Sequence, residues 1–298
     1  ARARRQRAGR ARAYPVAVHF IKGHGTENDF LVLPDLDGDI ELTPAMVRAL
    51  CNRHAGLGAD GILRVVRSEN HPEAKEMAAD APFFMDYSNA DGSVAEMCGN
   101  GVRVFLRYLQ RVSLVGDSAA VATRGGIRRV RARGDGDVTV NMGLPRVLAD
   151  RPIATAAPLP PTRGIALEIP NPHVVVEIAS VADLERLDLT RPLVVEPPLP
   201  HGQNVEFVVR RGPRWLQMRV HERGVGETRS CGTGLCAAAV AIATADGSGP
   251  DGTPWRVDVP GGTCEVTWRP DDVLLTGPAV LVAEIDVDDD WLYSVAAP

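Results

Sequence analysis

Leu235 to Ala243 reads Leu-Cys-Ala-Ala-Ala-Val-Ala-Ile-Ala, a run with no charged side chain and no strongly polar one. Alanine is the strongest helix former, and this composition predicts a helix. A helix that is apolar all round has to be covered on every side. Its small side chains let covering strands approach closely. One chain therefore has to supply a central helix and enough sheet to wrap it.

The entry to that helix is Arg229-Ser230-Cys231-Gly232-Thr233-Gly234, reached through a strand-like run, Leu216 to Val220. Cys231 thus falls where a loop becomes a helix, and the glycines permit a tight turn. Helix starts carry unpaired N–H groups and the positive end of the dipole. That setting is expected to lower a thiol's pKa and to attract carboxylates. The same arrangement occurs earlier, in Glu96-Met97-Cys98-Gly99-Asn100-Gly101 followed by Val102-Arg103-Val104-Phe105-Leu106. Two such corners, one in each half of the chain, suggest two pseudo-equivalent domains with a thiol each.

Between the corners the pattern is mostly strand. Val16 to Ile21 and Phe30 to Leu33 read as strands flanking a polar loop, Lys22 to Asp29. Thr43-Pro44 is an N-cap with proline at the first helical position, opening a helix to about Asn52. The helix after Cys98 is expected to reach about Arg111, and Val181 to Leu187 is a short helix. Proline and alanine replace periodicity between about Gly143 and Pro161, which marks a domain boundary. We expect a first domain over residues 14–142, a second over 143–276, and a return of 277–298 to the first. Gly56-Leu57-Gly58-Ala59-Asp60-Gly61 matches a dinucleotide fingerprint by letter, but a strand rather than a helix follows, so it reads as a turn.

The 298 residues, 45% apolar, suffice for real cores, and the net charge of −5 gives no general drive toward nucleic acid. Six arginines and no acid lie in Ala1 to Ala13, which reads as a disordered basic tail. No signal-peptide centre and no run of 18 apolar residues occurs, so a cytoplasmic, membrane-free protein is expected. The five cysteines are odd in number and sparse, which argues against a disulfide framework. Cys51, Cys236 and Cys264 read as small buried hydrophobes.

Six blocks in order give the chain a resemblance to the diaminopimelate epimerase family over about residues 18 to 285. The resemblance is carried by Lys22-Gly23-His24-Gly25-Thr26-Glu27-Asn28-Asp29-Phe30, Asn89-Ala90-Asp91-Gly92-Ser93, Cys98-Gly99-Asn100-Gly101, Asn171-Pro172-His173, Asn204-Val205-Glu206-Phe207 and the Cys231 segment. It implies an α/β (α+β) fold of two pseudo-symmetric domains, each a mostly antiparallel sheet around a central helix, with the site in the cleft between. It also implies an isomerase free of pyridoxal phosphate or any other cofactor, and of metal. Such an enzyme interconverts LL- and meso-2,6-diaminopimelate for lysine and peptidoglycan precursors.

Inversion at an α-carbon needs a base on one face and an acid on the other. By the resemblance, Cys98 and Cys231 are that pair and exchange roles with direction. The N–H groups of Gly99, Asn100, Gly232 and Thr233 then hold the α-carboxylate, Asn28 and Glu222 lie near the reacting amino group, and His173 stands beside the second thiol. Asn89, Asn171 and Asn204 surround the distal centre, and the Arg223 fork suits its carboxylate. The expected partner is a small molecule, with a homodimer as the family prior. The alternatives are a racemase of the same fold acting on proline, hydroxyproline or histidine, a non-catalytic ligand-binding or thiol redox-sensing protein, and nucleic-acid binding through the arginine tail.

Overall fold

The computed structural model describes residues 18–295; the arginine-rich segment Ala1 to Ala13 lies outside them. Five helices occur in this span: α1 (Pro44–Cys51), α2 (Gly99–Arg111), α3 (Val181–Arg186), α4 (Gly232–Ala245) and α5 (Asp289–Ser294). Apart from two 3-10 turns, Ser68–Asn70 and Lys75–Met77, the remaining regular structure is strand, most of it in one sheet of 17 strands.

The first hairpin differs from expectation. Strands Val18–Gly25 and Asn28–Pro34 run straight through the stretch read as a polar loop, leaving Thr26 and Glu27 as the two turn residues. Both have positive φ, 50° and 59°, the twist that a two-residue hairpin demands. The polar residues misled the reading because their charges are satisfied within the sheet. Lys22 Nζ stands 2.6 Å from Asp29 Oδ2 on the neighbouring strand.

The first half of the chain builds a curled sheet by local pairing. Val280–Val287 returns from the C-terminus to pair antiparallel with Val18–Gly25. Asn28–Pro34 then runs parallel to Gly61–Arg67, which pairs antiparallel with Phe83–Asn89. Strands Ser118–Ala122, Arg128–Ala132 and Asp137–Gly143 complete this half as a meander. The last of them pairs with Asp272–Pro278, which joins the two halves into one sheet. Beyond it lie Gly262–Arg269, Pro254–Val259, Trp215–Glu222, Asn204–Gly212, Asn171–Glu177 and Ile165–Ile169.

Each half wraps one helix. α4 is buried continuously from Gly232 to Ala243, as its composition requires. Its three larger aliphatic side chains, Leu235, Val240 and Ile242, are at most 1% exposed, and burial stabilises by about 1.5–3 kcal/mol for each. α2 is covered over Gly99 to Leu106, then turns Arg107 and Gln110 toward solvent. α1 begins at the expected cap, with Thr43 Oγ1 accepting from Met46 N at 3.3 Å. The C-terminal helix α5, not anticipated from the sequence, is capped by Asp288, whose Oδ1 accepts from Trp291 N at 3.0 Å.

Candidate active site

Cys98 and Cys231 are the N-cap residues of α2 and α4, both with extended backbone at φ −137° and −121°. The two helix starts face and touch each other. A Cβ added to Gly232 would stand 3.1 Å from Gly99 Cα and 3.2 Å from Asn100 N. Glycine at 232 is therefore what lets the N-termini meet.

Around Cys98 the contacts come from its own helix and from the first hairpin. Gly101 N donates to the Cys98 sulfur at 3.4 Å, and the thiol reaches Asn28 Oδ1 at 3.6 Å. Asn28 Nδ2 donates to Asp60 Oδ2 at 2.8 Å. Asn100 Nδ2 donates to Asn28 Oδ1 and to Ser230 O, both at 3.1 Å. Asn100 is fully buried, and its side chain ties the start of α2 to the residue before Cys231. Thr26 Oγ1 meets Ser230 Oγ at 2.6 Å, and Arg103 Nη2 donates to Thr26 Oγ1 at 3.3 Å. Arg103 is fully buried, and among the described residues no carboxylate forms an ion pair with it.

Cys231 has a different neighbourhood. Its sulfur lies 3.4 Å from Thr233 Oγ1. Behind it, His173 Nδ1 and Glu206 Oε1 meet at 2.7 Å, with both side chains fully buried. His173 Nε2 and Glu206 Oε2 have no hydrogen-bond partner among the described residues. A Cβ on Gly234 would lie 2.7 Å from Glu206 Oε1 and 3.3 Å from Cys231 Cβ, so the carboxylate sits directly behind the thiol. The half-buried Glu222 accepts from Thr228 Oγ1.

The expected lowering of the thiol pKa values is not what the structure gives. Burial pushes Cys98 up to about 11, against the hydrogen bonds from Gly101 and Asn100 and the charge of Arg103 that pull it down. Burial, then the carboxylates of Glu222 and Glu206, push Cys231 well above the ordinary thiol value. Helix-start donors act on both sulfurs, but desolvation of the charged form outweighs them. Burial also raises Glu222, with Thr228, Cys231 and His173 opposing. The buried Tyr87 phenol is raised by burial first, then by charge at Cys98, Glu222, Asp60 and Cys231. Glu222 thus raises both thiols, and charge at either thiol raises Tyr87.

The residues expected to read the far end of a substrate are less tightly connected. Asn204 Oδ1 accepts from Arg223 N at 2.9 Å, and Arg223 is exposed, donating to His201 O. His173 and Asn204 are register partners on parallel strands. Asn89 pairs in register with Gly61 and donates to Ser93 Oγ at 3.1 Å. Asn171 is half-buried and makes no side-chain hydrogen bond among the described residues.

Reading the sequence missed Glu206, Thr26, Ser230, Arg103 and Asp60 as parts of this centre. Each lies inside or beside a noticed motif, but its partner is distant in the chain, and no local pattern announces such a pairing. A surface cavity of about 500 Å³, lined in part by Arg129, Arg131 and Arg269, is elsewhere on the sheet and holds neither thiol. The acidic cluster Asp288, Asp289 and Asp290 near the C-terminus contributes no residue to the centre either.

Comparison with known proteins adds independent findings. A family profile described as diaminopimelate epimerase matches residues 20–148 and 165–282. A protein of Streptomyces coelicolor named diaminopimelate epimerase is 55% identical over 290 residues, covering 94% of this chain and 99% of its own. One of Thermobifida fusca with the same name is 49% identical, covering 91% and 98%. Among solved structures, a hydroxyproline epimerase from Agrobacterium vitis superposes with a TM-score of 0.66 at 15% identity, covering 92% of this chain and 94% of its own. A Bacillus anthracis protein of the PhzF family gives 0.63 at 16%, covering 91% and 99%. These structural likenesses speak for the fold alone.

Proposed function

Because the chain belongs to the diaminopimelate epimerase family, we propose that it interconverts LL- and meso-2,6-diaminopimelate through proton transfer between Cys98, Cys231 and one α-carbon. The observation that carries this reading is the contact between two cysteine-capped helix starts. One thiolate takes the α-proton, and the thiol on the opposite face returns a proton, so the centre inverts. The reverse reaction exchanges the two roles.

Without an electron sink the carbanion charge has to be met by the protein. Backbone N–H groups of Gly99, Asn100, Gly232 and Thr233 hold the α-carboxylate, into which that charge spreads. Removing one donor of this kind typically costs about 10²–10³ in rate, so two convergent helix ends supply a large share of the stabilisation. Asn28 and Glu222 take the reacting amino group, and His173, held by Glu206, stands beside Cys231. Asn89, Asn171, Asn204 and Arg223 recognise the distal amino-acid centre. Arg223 suits that task because its exposed guanidinium offers donors in a bidentate fork.

Residues 14–142 with 277–298 form one half of the enzyme in this reading, and 143–276 the other. Among the described residues no helix is long and apolar enough to cross a membrane, and the biosynthetic role fits a cytoplasmic place. The experiment is a substrate panel of LL-diaminopimelate, L-proline, trans-4-hydroxy-L-proline and L-histidine. Epimerisation of the first alone is expected. Turnover of a cyclic or aromatic amino acid in its place overturns the substrate assignment.

A further inference from the structure

Behind Asn28 lies a charged cluster that the two-thiol reaction does not itself require. Arg53 donates to Asp29 Oδ1 and to Asp60 Oδ1, both at 2.7 Å, and Lys22 pairs with Asp29. Burial pushes Asp29 up, but hydrogen bonds and charge from Arg53 and Lys22 outweigh it and leave it at about 2. The second oxygen of Asp60 faces inward, accepting from Asn28 Nδ2 at 2.8 Å and Asp29 N at 3.1 Å.

A carboxylate only accepts hydrogen bonds, so Asp60 forces the NH₂ end of the Asn28 amide toward itself. The amide carbonyl then has to face Cys98 and Asn100. The Asn100 amide agrees with this orientation, since its NH₂ donates to Asn28 Oδ1 and to Ser230 O, both of them acceptors. A carbonyl oxygen 3.6 Å from the Cys98 sulfur has no proton to give, so the hydrogen in that contact belongs to sulfur. The carbonyl dipole disfavours a thiolate there.

We propose that Asp60 is a positioning residue which, by fixing the Asn28 amide with its carbonyl toward Cys98, keeps that thiol protonated in the ligand-free enzyme. Cys231 has no such fixed carbonyl, because the Thr233 hydroxyl donates or accepts equally well; what holds its proton is burial with the carboxylates of Glu222 and Glu206. The groups facing Cys98 act on both sides: Gly101 N–H, Asn100 N–H and Arg103 favour its ionised form, and Glu222 opposes it. Asn28 adds a fixed acceptor at contact distance. A substrate that presents its α-proton to Cys231 then finds the acid already loaded at Cys98. Either thiol has to ionise before it serves as base, and at Cys98 the fixed Asn28 carbonyl opposes that step. The inference rests on the two-thiol reading for this catalytic meaning. Its test reads thiol chemistry alone, so the two fail separately.

The experiment measures the rate of Cys98 alkylation by iodoacetamide against pH, with the site located by peptide mass spectrometry. In Asp60→Asn the amide of Asn28 is free to turn, and the alkaline midpoint moves down by about 0.5–1 unit. At a pH below both midpoints this is about three- to tenfold faster alkylation. In an Asn28→Ser background the same Asp60 change produces no further shift. The midpoint, not the plateau rate, carries the result, because altered access changes the plateau. An unchanged midpoint in a folded Asp60→Asn overturns the proposal, and so does an equal shift in both backgrounds. Should circular dichroism report Asp60→Asn unfolded, Asn28→Ser alone decides: its midpoint falls, or the proposal is wrong.

Discussion

Cys98 and Cys231 hold equivalent positions on their helices and unequal surroundings. Cys98 is half-buried with an amide in contact; Cys231 is 6% exposed with a buried histidine–carboxylate pair behind it. Replacing either sulfur by oxygen removes a group acidic enough to transfer the α-proton. Cys98→Ser and Cys231→Ser are each expected to lower kcat by about 10³ or more, within the span of general acid–base effects. Cys264→Ser, in a strand facing the core, is expected to leave kcat within about twofold, as a buried hydrophobe should. Steady-state assays on the three variants check both statements. Burial also links the thiols to stability. Cys51 is pushed from 9.0 up to about 12 by burial, with the charges of Asp29 and Asp60 adding to it. Above pH 9 the unfolded chain has lost that proton and the native chain still holds it, so stability falls as pH rises toward 12. The slope is about 1.4 kcal/mol per pH unit for this one thiol. Thermal melts between pH 9 and 11 are expected to fall less steeply for Cys51→Ser than for the parent, and parallel curves refute the linkage.

At the scale of elements, the glycines after each cysteine matter more than the helices' own propensity. Gly232→Ala puts a methyl 3.1 Å from Gly99 Cα, and backbone rather than flexible side chain has to give way. A small displacement of reacting groups costs about 10² in rate. Gly232→Ala is therefore expected to lose about that factor in kcat with its circular dichroism spectrum unchanged; full activity would mean that the helix contact is irrelevant to catalysis. Four of the five helices were legible, α5 being the exception. Thr43-Pro44 announced α1, and the all-apolar run announced α4 and its burial. The two strands of the first hairpin were legible but their full length was not, because Lys22, Asp29 and Asn28 look like loop residues until their partners across the strands and at Asp60 are known. The thiol pKa values were misjudged for a related reason. A helix start is a local pattern, whereas the burial that overrides it is built by strands from both halves of the chain.

At the scale of the molecule, the two helix starts meet because the sheet is continuous. Asp137–Gly143 pairs with Asp272–Pro278, and Val280–Val287 then returns to Val18–Gly25. The relation between the sulfurs is thus set by how the halves are joined, and Asn100, Ser230, Thr26 and Arg103 form the polar seam between them. Both thiols are free in this structure. Air oxidation is expected to join Cys98 to Cys231 and stop turnover, with recovery on adding a reductant. Finding both thiols free by mass spectrometry in an air-inactivated sample would contradict this.

The central claim is that two sulfurs address one stereocentre from opposite faces. Early turnover of LL-diaminopimelate in heavy water reads it most directly, with deuterium located in recovered substrate and in product. Solvent deuterium should appear at the inverted centre of the meso product, while unreacted LL substrate stays unlabelled, because the proton leaves on one face and another arrives on the other. Substrate that gains label as fast as product forms, or product that keeps its original proton, would mean that a single group serves both faces.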